Sequence, residues 1–170
     1  MEKTRTTADG STVVLRTLEL VDLEQIHRLE CELFPVDAWP IEMFLAEVQH
    51  PTRHYIVLEQ EHQIIGYAGV MTVADTADVQ TLAVCSSARG RGYGRWLLET
   101  LHEQALARGA ERIMLEVRAD NPIAQNLYLA QGYTPVHRRE RYYNDGVDAL
   151  IMMKNLENVE SLQEEKHHDQ

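Results

Sequence analysis

Cysteine is scarce in this chain: Cys31 and Cys85 are the only two among 170 residues. Two thiols cannot build the disulfide framework of a small secreted scaffold, so the expected setting is a reducing cytoplasm. No apolar run approaches the roughly 18 residues of a membrane span, and the polar start MEKTRTTADG does not read as a signal peptide. None of the eight histidines falls into HExxH or a Cys/His ligand spacing, so no metal is expected. There is no Gly-Lys pair, which removes the Walker P-loop. Positive charge is in deficit, and a net charge of −11 argues against nucleic acid as the main ligand. Part of the excess lies in residues 155–170, where five acids face Lys166; little apolar content there predicts a disordered acidic tail. The remaining acidic body would attract basic peptides weakly.

What is present is ordinary for a soluble globular domain: 44% hydrophobic and 25% charged residues, with no internal repeat and no linker. The expected organisation is a flexible start over 1–12, one domain over 13–154, and the tail. Val13–Thr17 reads as a strand. Asp22 with Gln25 suggests a capping box opening a helix with an apolar face at Leu23, Ile26, Leu29 or Glu30, and Leu33. A second helix begins near Pro40, carries the stripe Ile41, Phe44, Leu45, Val48, and stops at His50-Pro51. Tyr55–Leu58 and Ile64–Val73 suggest hairpin strands around the polar turn Glu59–Gln63. A βαβ unit follows: strand Val79–Cys85, a helix packing through Leu97, Leu98, Leu101 and Ala105, and strand Arg112–Val117. Asn121-Pro122 then caps a helix expected to bury Ile123, Leu127 and Ala130. A long hairpin, Tyr133–Tyr142 and Asp148–Lys154, turns at Asn144-Asp145-Gly146. The pattern is an α/β fold with a mixed sheet.

The turn inside the βαβ unit is the most informative segment. Gly90, Gly92 and Gly94 place bare backbone between strand and helix, with Arg89, Arg91 and Arg95 around them. The first N–H groups of a helix lack intrahelical partners and sit at the positive end of its dipole, so such a turn can cradle a phosphate. The dinucleotide fingerprint fits Gly90 and Gly92 but requires glycine at Arg95. A glycine-rich turn without a ligand is the plain alternative. Parallel strands carry their carboxyl ends to one sheet edge, where ligands of open α/β sheets collect. Glu116 therefore lies near the glycine turn, opposite in facing to Ile113, Leu115 and Val117. A carboxylate in an apolar strand is costly unless solvated, paired or used, and an exposed Glu paired with an arginine satisfies that condition as well as a catalytic one.

Arg89-x-x-Gly92-x-Gly94 resembles the pyrophosphate-binding motif of the GCN5-related N-acetyltransferases. The string LEVRADNPIAQNLYLAQGY, Leu115 to Tyr133, is similar to a second block of the N-terminal acetyltransferases at the family's spacing. With TLAVCSSARGRGYGRWLLETL and CELFPVDAWPIEMF the likeness covers nearly all of 13–154. Within the family it is greatest to the bacterial ribosomal-protein-alanine acetyltransferases. The resemblance implies a single-domain acetyltransferase fold, mostly antiparallel with a central parallel βαβ unit flanked by helices. It implies acetyl-CoA as co-substrate, its arm on the backbone of Leu82, Ala83 and Val84. Its pyrophosphate would lie on the amides of Gly90, Arg91, Gly92, Tyr93, Gly94 and Arg95, beside Arg89. Asn121 would touch the arm, although capping already explains an Asn there. Glu116 would be the general base and Tyr128 the general acid. Tyr128 also fits a packing role, and Tyr142 and Tyr143 stand where a substrate mouth would be. Cys85 and Ser86 depart from the family's usual Asp-Pro without touching the amides. No histidine stands at a spacing that would activate Cys85.

The acceptor implied is a protein N-terminus, that of a ribosomal protein beginning with alanine. A lysine side chain, a small amine, or a non-catalytic CoA-binding role are the alternatives. A fold alone does not choose among them.

Overall fold

A computed structural model describes residues 1–157. Of the acidic tail expected from residue 155, Asn155 closes the last strand and Leu156 donates its N–H to Glu111 O at 2.8 Å, while residues 158–170 lie outside the described ones. The chain runs β1 (Glu2–Thr6), β2 (Thr12–Thr17), α1 (Leu23–Leu33), α2 (Ile41–Gln49), β3 (Arg53–Gln60), β4 (Gln63–Val73), β5 (Thr76–Val84), α3 (Tyr93–Ala107), β6 (Arg112–Arg118), α4 (Pro122–Ala130), β7 (Thr134–Arg139) and β8 (Ala149–Asn155). One sheet takes all eight strands in the order β1-β2-β3-β4-β5-β6-β8-β7, antiparallel throughout except β5 beside β6. The mixed sheet with one parallel βαβ unit is as expected.

Each face of the sheet is sealed by two helices. Trp96, Leu97, Leu98, Leu101 and Ala105 of α3 pack with Tyr128 of α4 on Ile56, Val70, Ile113 and Leu115. Ile26 and Leu29 of α1 and Phe44 of α2 pack on Val57, Tyr67 and Ala83. Alternation along the strands feeds the two cores separately, odd and even positions going to opposite faces.

Several expectations are corrected. Residues 1–12 are not a loose start: Glu2–Thr6 pair antiparallel with Thr12–Arg16 as an edge strand. The polar alternation of that edge hid it, yet Arg5 stacks 4.1 Å over Trp96 and Lys3 meets Glu103 at 2.7 Å. Asp22 makes no side-chain cap for α1; it accepts from Glu19 N–H at 2.8 Å and pairs with Arg16, while Gln25 accepts from Ile64 N–H. Leu45 is exposed, so α2 buries only Phe44 fully. In α4 the buried face is rotated: Ile123 is 82% exposed and Tyr128 is the buried residue. Finally, β7 stops at Arg139 because Arg141 turns to φ 51° and donates its N–H to Asp148.

Candidate active site

The site is opened by a register break. On β5, Gly69 of β4 pairs with Thr81 and Val70 with Val79, so Gln80 is an extra, bulged residue. A bulge bends its strand and increases the local twist. Consistent with that bend, β5 pairs with β6 only from Thr76 to Asp78 against Arg112 to Met114. Beyond those residues the two parallel strands separate, and a wedge opens at their carboxyl ends.

One wall of the wedge is the free edge of β5. Cys85 N–H donates to Ile65 O at 2.8 Å, which sets the phase of the ladder with β4. Because antiparallel neighbours alternate between bonded and non-bonded pairs, Ala83 exchanges its hydrogen bonds with Tyr67. The N–H and C=O groups of Leu82 and Val84 turn the other way, into the wedge. Of the three residues expected to present backbone there, two do so and Ala83 does not.

Below that edge, a short 3-10 turn at Ser86–Ala88 leads to Arg89 and the glycines. Gly90 and Gly92 adopt φ 76° and 81°, conformations that an L side chain enters at a cost, and a Cβ on either would meet nothing within 4 Å. Gly92 is the N-cap of α3, so the amides of Tyr93, Gly94 and Arg95 are the helix's first, unpartnered donors. Gly94 differs. Its conformation is regular and a Cβ there would face Leu127 of α4 at 3.4 Å. Arg89 and Arg91 are exposed, and Arg95 pairs with Glu99 one turn on. Asn121 accepts from Ala124 N–H at 3.1 Å, so its side-chain oxygen is committed to capping α4.

The other wall is β6 and the segments around it. Glu116 is exposed, with Arg139 Nη1 3.6 Å from its Oε1. The neighbouring Glu116 carboxylate raises the Tyr142 pKa. Arginine pairing of a strand-end Glu is thus present, though long and open to solvent. Tyr128 is buried in α4, and burial pushes its hydroxyl up to about 12. Its ring meets Tyr133 at 5.8 Å. Cys85 is half-buried and touches Ser87 Oγ at 3.4 Å.

Three groups were not singled out from the sequence. Asp78 sits opposite Met114 where the ladder ends, its pKa raised by burial and by Glu116. A strand start at Val79, as the apolar pattern suggests, leaves Asp78 in a loop, whereas β5 begins at Thr76. Glu30 is buried at 3% exposure, accepts from the Tyr67 hydroxyl, and is raised by desolvation. A carboxylate on the apolar stripe of α1 was the available signal. Arg118 draws together Asp37, Asp120 and Asp145. Among the described residues no cluster suited to a metal ion occurs, and no helix is long and apolar enough to cross a membrane.

Comparison with known proteins gives a consistent result. The family model described as Acetyltransferase (GNAT) family matches residues 23–133. The N-alpha-acetyltransferase RimI of Mycobacterium tuberculosis is 36% identical over 154 residues, covering 87% of this chain and 96% of that protein. The [ribosomal protein bS18]-alanine N-acetyltransferase of Escherichia coli is 33% identical over 143 residues, covering 81% and 94%. A crystal structure of the ribosomal-protein-S18-alanine N-acetyltransferase from Escherichia coli superposes with a TM-score of 0.78 at 29% identity, over 86% of this chain and 96% of that one.

Proposed function

The chain belongs to the acetyltransferase (GNAT) family, and from that premise we propose that it acetylates the α-amine of a protein N-terminus, that of the N-terminal alanine of a small-subunit ribosomal protein. Membership makes it an acetyl-CoA-dependent N-acetyltransferase. The observation that carries the acceptor is the likeness, over more than four fifths of the chain, to relatives named for α-amine and bS18-alanine acetylation.

The residues present fit acetyl-CoA. Leu82 and Val84 offer strand-like backbone to an amide-bearing arm, and the turn from Gly90 to Arg95 offers helix-end donors to a pyrophosphate. Arg89 and Arg91 add charge at the rim. Asn121, committed to its cap by the side-chain oxygen, retains only its amide nitrogen for the arm. When bound, acetyl-CoA supplies an acyl group activated as a thioester.

The protein's own groups have separable tasks. An α-amine with a pKa of about 7.7–8.0 is roughly a tenth neutral at pH 7, so the Glu116 carboxylate, acting through water, need only collect a proton the attack releases. The Val84 N–H faces the wedge and can donate to an oxyanion formed there. Tyr128, at about 12, stays protonated throughout the working range. An alkyl thiol near 8.5 is the stronger acid, so full transfer from this phenol to a thiolate is uphill. Tyr128 therefore acts on the leaving sulfur chiefly by donating a hydrogen bond. Asp78 places a second carboxyl beside Glu116.

The α-amine also has a chemical advantage. A pKa gap of about 2.5 units gives a few hundred times more neutral nucleophile at pH 7 than a lysine has. Initial rates on matched peptides beginning Ala, Ser, Gly or Met, and on one with a blocked N-terminus and a free lysine, test the proposal. The Ala peptide is expected to be fastest; faster acetylation of the blocked lysine peptide would overturn the assignment.

A further inference from the structure

Arg118 is the last residue of β6, two positions beyond Glu116 and on the same face. Its guanidinium uses nearly its whole fork. Nη1 donates to Asp37 Oδ2 at 2.9 Å, Nε to Asp120 Oδ1 at 3.0 Å, and Nη2 to Asp120 and to Asp145 Oδ2. The planar cation also lies 4.9 Å from the ring centre of Tyr143. Asp37 belongs to segment 34–40 between α1 and α2, and Asp145 to segment 140–148 between β7 and β8. These two segments are far apart in sequence, and a single side chain ties both to the strand that carries Glu116.

The tie extends to Glu116 itself. Tyr143 meets Tyr142 edge-on at 5.2 Å, and Arg139, 5.5 Å from the centre of the Tyr142 ring, reaches Glu116 Oε1 at 3.6 Å. Backbone strengthens the anchor: Gln125 of α4 donates to the carbonyls of Arg118 and Ala119 at 3.0 and 3.1 Å. Isolated exposed ion pairs contribute little, but Arg118 is only 24% exposed and is shared by three carboxylates in a fixed fork. Lysine, a point charge, cannot hold that geometry.

We propose that Arg118 is a positioning residue for the acceptor: it clasps segments 34–40 and 140–148 to each other and so sets the mouth through which the amine reaches Glu116. This rests on the acceptor entering beside Glu116, as the proposed function has it. The clasp leaves the β5 edge and the glycine turn alone, so its loss should act on the peptide and spare acetyl-CoA.

Arg118→Met and Arg118→Lys in the full chain test this, with Asp37→Asn and Asp145→Asn as partner variants. Hydrogen exchange should quicken in both segments in Arg118→Met, and KM for the Ala peptide should rise about tenfold. KM for acetyl-CoA should stay within about twofold, Arg118→Lys should recover only part of the loss, and the two Asn variants should each loosen mainly their own segment. Unchanged exchange in both segments, or an equal rise of both KM values, would overturn the clasp. If the wild-type chain acetylated no peptide, the acceptor assignment would fall, while the exchange measurement would still decide whether Arg118 holds the two segments.

Discussion

Tyr133 and His102 share a 2.7 Å hydrogen bond inside the core, and the Tyr133 and Tyr128 rings meet edge to face at 5.8 Å. The neutral imidazole can make this bond in either tautomer, accepting the tyrosine proton at Nε2 or donating its own to the hydroxyl oxygen. Burial and the nearby Lys154 push the histidine down to about 4, against a smaller opposing pull from Glu99. The unfolded chain, near 6.5, takes up a proton first. Stability from this histidine is therefore complete above about pH 6.5 and lost as pH falls toward about 4, to a full extent on the order of 3 kcal/mol. Urea unfolding of wild type and His102→Gln between pH 7.5 and 4.5 checks it. The variant should show a shallower decline; equal slopes would mean that the histidine protonates in place.

Glu30 works in the opposite sense. Its carboxyl is held above the ordinary value by burial, although Tyr67 donates to it and Trp39 N–H approaches at 3.4 Å. The folded state keeps a proton that the unfolded state has released, so this group is favourable at low pH and costs stability as pH rises through the unfolded value near 4.5. Glu30→Gln keeps an acceptor for Tyr67 and cannot ionise. Its unfolding free energy should gain on wild type between pH 4 and 8, and a difference that is flat with pH would contradict this.

How much of the molecule was legible follows the same physics. The βαβ unit and both apolar helix faces of α1 and α3 could be read because burial imposes periodicity on them. Strand β1 could not, since an edge strand of Glu, Lys, Thr and Arg buries nothing. In α4 the periodicity misled: Ile123 is apolar yet solvent-facing, and the amphipathic Tyr128 takes the buried position. The glycine turn was visible in its residues, but the bulge at Gln80 that opens the wedge depends on pairing between distant strands. For the same reason Arg118 looked like an ordinary strand-end cation; its three partners come from three separate segments.

The glycine turn makes a prediction sharper than the motif does. Gly92 has φ 81° with open space where its Cβ would lie, whereas a Cβ on Gly94 points at Leu127. Gly92→Val should lower the melting temperature through backbone strain of about 1–2 kcal/mol and also abolish the rise that CoA produces in wild type. Gly94→Ala should retain most of that rise. NADP should shift neither. Thermal unfolding with and without each ligand measures this, and a shift with NADP but none with CoA would defeat the cofactor reading.

Glu116 and Tyr128 have tasks that can be separated by substitution. Glu116 is exposed and its pair with Arg139 is long, so Glu116→Gln should leave stability within about 1 kcal/mol of wild type. Turnover should fall by about 10²–10⁴-fold with little change in acetyl-CoA binding. Tyr128 is buried and held near 12, so it cannot supply a titration between pH 6 and 9. Tyr128→Phe should lower kcat, by about 10²-fold, without moving the pH at which kcat/KM levels off. That plateau should instead track the α-amine of the peptide, at about 7.7–8.0. Replacing the peptide by one whose terminal amine has a lower pKa should carry the plateau down with it, in wild type and in Tyr128→Phe alike. Near-wild-type turnover in both variants would make these residues structural and would move the search for the proton acceptor to Asp78, at the apex of the wedge where the β5–β6 ladder ends.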